Sequence, residues 1–213
     1  IAEKIIAEQV KDDDFKKQAN QMMDNLLKTY EMQLGSEGKV RQMMNISRID
    51  SNAVKNELVR TAKLQRYFTD QAGGEEQLKD YFEMHKENYT KATVRHILFL
   101  SGSTRSDEEA LKMAEDVKKK LNNGGDFTEL AKQYSEDTGS KDNGGKYEDY
   151  YVGDWVEPFK KAVLTLPLNK VSDPVKTSYG YHLIEVLKRT PGSYEDAKDR
   201  VKSDAVNQAY QDW

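Results

Sequence analysis

The sequence predicts an α+β protein in which a small antiparallel sheet, with helices packed on it, is inserted into an all-helical domain. Three observations predict this. Apolar residues fall at helical spacing through roughly the first ninety positions. Periodicity changes to two at Thr93, and apolar strands follow at Val94–Leu100 and Tyr181–Val186. Helical spacing returns after Ser193, on a segment whose apolar face needs a partner that the N-terminal helices can supply.

Asp14 is a candidate N-cap, and Phe15, Ala19, Met22, Met23, Leu26 and Tyr30 follow as one apolar stripe. Gly35 and Gly38 bracket a turn before a short helix around Val40–Met44. Asp50 or Ser51 caps a longer helix that buries Val54, Leu58, Leu64 and Phe68 and stops at Gly73-Gly74. Leu78, Tyr81, Phe82, His85 and Tyr89 form another stripe, on which His85 reads as structural. Past the first strand, Ser106-Asp107-Glu108-Glu109 matches a capping box in which the Ser106 hydroxyl accepts from the Glu109 amide and the Glu109 side chain reaches back. That helix buries Ala110, Ala114, Val117 and Leu121, leaves Lys118-Lys119-Lys120 to solvent, and stops at Gly124-Gly125. Asp126-Phe127-Thr128-Glu129 caps a short helix ending near Tyr134. Residues 135–146 read as a polar loop, Glu157–Leu164 as a third helix, and Tyr179-Gly180 as a turn into the last strand. The order β-α-α-loop-α-β fits an antiparallel sheet. The final helix, from Ser193-Tyr194-Glu195, carries Ala197, Val201, Ala205, Val206 and Tyr210 in register. Met22-Met23 and Met43-Met44 read as core fillers, with a client-binding surface as the alternative.

A chain of 213 residues fits one large domain or two small ones. With 37% hydrophobic and 33% charged residues it is a globular chain. A net charge of -4 offers no basic face for nucleic acid. No apolar run approaches a membrane span. The absence of cysteine excludes disulfides, zinc–thiolate sites and thiol catalysis. The chain begins without Met, inside a helical pattern, so any signal or anchoring segment is expected upstream.

Two of the three histidines, His96 and His182, occupy matching places in the apolar strands. A titratable ring among aliphatic neighbours is costly unless hydrogen-bonded. One such histidine reads as a satisfied core residue; two, with an acidic loop between them, point to a site. Around them stand Arg95-His96-Ile97-Leu98, Phe127-Thr128-Glu129-Leu130-Ala131, Tyr134-Ser135-Glu136-Asp137, Gly144-Gly145, Pro174-Val175-Lys176-Thr177 and Gly180-Tyr181-His182-Leu183-Ile184. In this order and spacing, residues 92–189 resemble a parvulin-type peptidyl-prolyl cis-trans isomerase domain. More loosely, the helical flanks 1–91 and 190–213 resemble those of the PrsA-type extracytoplasmic foldases of Gram-positive bacteria. In those proteins a parvulin domain is inserted between the halves of a chaperone-like helical domain.

The resemblance implies catalytic roles for His96, Asp137, Thr177 and His182. The two histidines are the paired active-site rings, and Thr177 is hydrogen-bonded within the pair. Asp137 either polarises the site or holds the histidine network. It implies substrate contacts from Trp155 and Phe159, the proline pocket, with Tyr179 beside them. Read without it, Asp137 is a loop acid that terminates a helix, and Trp155 and Phe159 are core aromatics. The chain departs from the parvulin pattern after Gly145, where Lys146-Tyr147-Glu148-Asp149-Tyr150 replaces Asp-Leu-Gly-Trp-Phe, so the pocket leucine is either Tyr147 or missing. No cofactor or covalent intermediate is implied. A zinc site of His96, His182 and Asp137 is chemically conceivable, but the chain lacks a metal-binding motif. The expected partners are unfolded or partly folded exported proteins with X-Pro bonds. The resemblance also implies work outside the cytoplasm, with membrane attachment only through a lipidated residue upstream, and leaves homodimerisation open. The competing reading is a non-catalytic holdase with a vestigial parvulin clamp.

Overall fold

The structure, a computed structural model, describes residues 13–47, 50–102 and 105–212. The chain divides into two compact units, Ile1–Lys79 with Asp199–Trp213, and Asp80–Lys198.

In the first unit, α1 (Asp13–Leu34) packs on α2 (Glu37–Ile46) and α3 (Ser51–Gln71). Asp14 lies inside α1 and so is not its cap. Ala19 and Met23 are buried while Met22, Leu26 and Tyr30 stay exposed, so the apolar stripe is only partly covered. Gly38, expected in a turn, is already helical. The Ser36 carbonyl accepts from the Lys39 and Val40 amides, and Glu37 favours the positive helix start. Asp50 caps α3 by accepting from the Asn52 amide. Phe68 of α3 packs with Val206 of α8 (Tyr194–Gln211) and meets Tyr210 edge-on.

The second unit takes in the end of α4 (Glu75–Met84), a 3-10 turn at Lys86–Tyr89, and a sheet. Phe82 stacks on Tyr89 and meets Tyr194 edge-on. The sheet runs in the order β2-β1-β4-β3, with β1 (Lys91–Leu100), β2 (Lys146–Tyr151), β3 (Val175–Lys176) and β4 (Gly180–Thr190), all pairs antiparallel. β1 and β4 form the long central ladder, from Lys91↔Thr190 to Leu100↔Gly180. Residues from Lys91 onward join it, so β1 starts earlier than its alternation suggests. On one face α5 (Asp107–Asn122) and α6 (Phe127–Tyr134) cover Ile97, Phe99 and Leu183. Ala110, Ala114 and Ala131 line that contact, short side chains that let the helices come close. On the other face Ala92, Val94, Ile184 and Val186 pack against Val152 and against Phe159 and Val163 of α7 (Glu157–Thr165).

Two strands were not apparent in the sequence. β2 begins at the last residue of the polar loop read over 135–146 and runs through a stretch with no predicted element; it is an edge strand of lysine, acids and tyrosines with an exposed middle. β3 is two residues long and exists through its pairing with Tyr181 and His182. Among the described residues no helix is long and apolar enough to cross a membrane.

Candidate active site

The ladder fixes the two histidines. His96 lies opposite Ile184 and His182 opposite Leu98, so the rings are diagonal neighbours on one face of β1 and β4. Their Nδ1 atoms are 3.1 Å apart, and the rings stack 5.3 Å between centroids at 17°. Both residues are buried. Phe159 of α7 presents itself edge-on to both, at 5.5 Å from His96 and 5.2 Å from His182.

The acid arrives on a loop sewn to β1. The Glu136 amide donates to the Leu98 carbonyl at 2.9 Å, and the Ser135 hydroxyl accepts from the Leu98 amide at 3.2 Å. At its far end the loop returns to the same strand, where the His96 amide donates to the Gly145 carbonyl at 2.9 Å. Gly145 has φ +77, and a Cβ there would lie 2.0 Å from the His96 carbonyl oxygen, so only glycine permits the approach. Held this way, Asp137 directs Oδ2 at three donors: His96 Nε2 at 2.8 Å, the Tyr147 hydroxyl at 2.9 Å, and the Ser140 hydroxyl. Oδ1 accepts from the Gly139 amide at 3.1 Å. The His96 hydrogen bond above all, helped by Ser140 and Tyr147, holds the Asp137 carboxyl well below the usual range despite its burial.

Behind His182, Thr177 Oγ1 lies 2.8 Å from Nε2 and accepts from the Tyr179 amide at 3.2 Å. The Thr177–Gly180 turn that positions it closes with Thr177 N–H donating to the Gly180 carbonyl at 2.8 Å. Burial, then the neighbouring His96, pulls the His182 pKa down to about 3, so this ring carries one hydrogen near neutrality. The carboxylate can only accept, so His96 Nε2–H donates to Asp137, and the geometry admits a chain that runs in one direction from Thr177. Thr177 donates to His182 Nε2, His182 Nδ1–H donates to His96 Nδ1, and His96 Nε2–H donates to the carboxylate.

Seven of the eight residues expected from the sequence line one cavity of about 400 Å³: His96, Asp137, Tyr147, Trp155, Phe159, Tyr179 and His182. The eighth, Thr177, stands behind His182. Trp155 sits 5.2 Å from Phe159, with Tyr150 stacked on it at 6.5 Å, while Tyr179 is exposed at the rim. Leu98, Tyr150, Asp154 and Val156 also line the cavity and carried no signal of their own. Ser140 was missed too; it is buried, it bonds Asp137, and its hydroxyl lies 3.3 Å from His96 Nε2. Tyr147 is more than a substitute for leucine, because its hydroxyl joins the polar chain. No lysine or arginine lines the cavity among the described residues. Nor, among them, do three or more His, Cys, Asp or Glu form a group that could hold a metal ion.

Known proteins bear on this geometry. The family model for the PPIC-type PPIASE domain matches residues 77–190. The foldase protein PrsA of Caldanaerobacter subterraneus subsp. tengcongensis is 36% identical over 161 residues, 76% of this chain and 50% of that protein. Foldase protein PrsA 3 of Bacillus cereus is 43% identical over 129 residues, 60% of this chain and 42% of that protein. The chain thus spans about half the length of the curated relatives it matches. Among solved structures, the peptidylprolyl isomerase PrsA of Bacillus anthracis aligns with a TM-score of 0.62 at 24% identity, covering 97% of this chain and 85% of that one; it shares the fold.

Proposed function

The chain belongs to the PPIC-type, or parvulin, family of peptidyl-prolyl isomerases, and from that premise we propose that it is a foldase that catalyses cis–trans rotation about X-Pro bonds in client chains. The observation that carries the reading is the closed hydrogen-bond chain Thr177–His182–His96–Asp137 along one wall of an apolar, aromatic cavity.

Rotation about X-Pro is slow because it breaks amide resonance, against a barrier of roughly 18–20 kcal/mol. No covalent bond to the protein is required; the site must favour the twisted amide over both planar forms. Trp155, Phe159 and Leu98 grip the proline ring while the preceding carbonyl swings. The twisted amide is less polar than the planar one, so a cavity walled by aromatic rings favours it. The polar groups at its edge serve one another. Asp137, which accepts from four donors, anchors His96 beside the cavity. The holdase with a vestigial clamp is not favoured, because the departing segment after Gly145 folds as β2 and joins the site.

Residues 92–189 form the catalytic domain in this reading, with 1–91 and 190–213 as a chaperone-like helical domain. The clients are unfolded or partly folded exported chains. The protein works outside the cytoplasm, held to the membrane by a lipid on a residue upstream of this sequence. Exchange NMR on short X-Pro peptides tests the activity. The parent accelerates exchange, and His96→Ala or Asp137→Ala lowers kcat/KM by roughly 10²-fold with the fold intact, the order seen when one preorganised polar group is removed from an active site. Variants as fast as the parent would remove these residues from the mechanism.

A further inference from the structure

We propose that Tyr147 is a positioning residue, whose phenol fixes the orientation of the Asp137 carboxylate and, through it, the tautomer of His96. The catalytic half of this inference rests on the isomerase reading; the structural half does not.

Tyr147 lies on β2 opposite Val94, two residues from His96 on β1, and its ring centroid is 5.7 Å from that of His96. It is therefore carried by the sheet, whereas Asp137 is carried by the loop. The terminal torsion of an aspartate is soft and roughly two-fold, so hydrogen bonds decide which oxygen faces which partner. Two of the donors to Asp137, the Ser140 hydroxyl on Oδ2 and the Gly139 amide on Oδ1, belong to the same loop and do not fix that loop against the sheet. The Ser140 hydroxyl lies 3.3 Å from His96 Nε2, within reach of the same hydrogen that Asp137 accepts. The phenol, approaching from the sheet at 2.9 Å, is the third donor to Oδ2, and it ties that oxygen to β2, the strand paired with the β1 that carries His96. Burial, and then the adjoining carboxylate, raises the Tyr147 pKa, so the phenol stays protonated and a donor. A leucine, which the parvulin pattern carries here, offers no such donor.

Tyr147→Phe keeps the ring and its packing and removes only the hydroxyl. The structural arm is the ¹⁵N spectrum of the imidazoles. Loss of the phenol shifts the His96 Nε2 resonance away from its protonated position as the Ser140 hydroxyl turns from Asp137 to donate to Nε2 and both rings change tautomer, the hydrogen between the two Nδ1 atoms moving to His96, while amide shifts elsewhere in the sheet hold. The kinetic arm is X-Pro exchange: kcat falls roughly tenfold with KM nearly unchanged, the size expected for one hydrogen bond to a charged group. Tyr147→Leu, which also removes the wall, lowers kcat as much and raises KM. If the His96 ¹⁵N pattern of Tyr147→Phe equals that of the parent, the phenol does not set the tautomer and the proposal fails, whatever the activity. If the parent itself shows no exchange activity, the isomerase reading fails while the ¹⁵N arm still decides the role of Tyr147.

Discussion

The two faces of the central ladder are made by the same strands and end as different things. Odd-numbered residues of β1 and β4, Ile97, Phe99 and Leu183, meet α5 and α6 and form a dry core. Even-numbered residues divide. Val94, Ile184 and Val186 are covered by α7, but His96, Leu98 and His182 lie under the cavity. Both faces also bury charge or polarity. On the core face Glu185 bonds Arg95, whose guanidinium sits over the Phe127 ring at 4.4 Å. On the other, imidazoles and a carboxylate satisfy one another beside open space. Burial is nearly equal, with Ile97 at 0% exposure and His96 at 5%. What differs is the cover: α7 closes only one end of its face, and the uncovered end is where a guest can enter.

Three measurements test that division. The largest effect is expected from Phe99→Ala, which should cost about 3–5 kcal/mol in urea unfolding as a buried aromatic is deleted. If the faces are separable, the fraction still folded isomerises at close to the parental rate; a parallel collapse of activity per folded molecule would merge them. Acid should weaken the site face next. Below the ordinary histidine value of 6.5 the unfolded chain binds a proton that folded His182 refuses until about pH 3. Stability therefore falls between those limits as pH drops, by about 1.4 kcal/mol per unit for one proton. Asp137 acts in the same direction, its contribution present above the ordinary value of 3.8 and lost as the pH falls through and below it. His182→Asn should flatten the slope between pH 6.5 and 4.5, and an unchanged slope would place the proton uptake elsewhere. The smallest effect belongs to Thr177→Val, which leaves His182 Nε2 buried without its partner at a cost of about 1–3 kcal/mol. No loss of stability there would mean that water replaces the hydroxyl and the turn does not seal the ring.

Much of this arrangement was legible because polar residues interrupt apolar patterns. His96 and His182 each break an aliphatic strand, so period two sets His96 with Val94 and His182 with Ile184, and the register His96↔Ile184 then brings both pairs to one face. The capping box at Ser106 and the Asp126 cap form as their spacing implies. Features that depend on closure of the chain were not legible. Ser140 sits in a Gly-Ser-Lys-Asp stretch, where serine reads as solvated; it is buried because the Gly145 amide donates to its carbonyl at 2.8 Å and folds the loop back. β2 carries no aliphatic residue and is a strand because β1 offers it an edge. The sequence presents Tyr147 as a large ring in a small slot, and only the position of Asp137 turns its hydroxyl into a donor.

The clasp that closes the acidic loop has a use beyond the site. Glu136 and Gly145 are both fastened to β1, at Leu98 and His96, and the Ser140–Gly145 bond seals the segment between them. Lys141–Asn143 thus bulges outward from a neck already tied. The bulge is itself pinned at both ends, the Lys141 amide to the Asp137 carbonyl and the Asn143 side chain to Lys146, so the exposed Asp142 between them is the place to graft an epitope or a fluorophore while the carboxylate stays where it is.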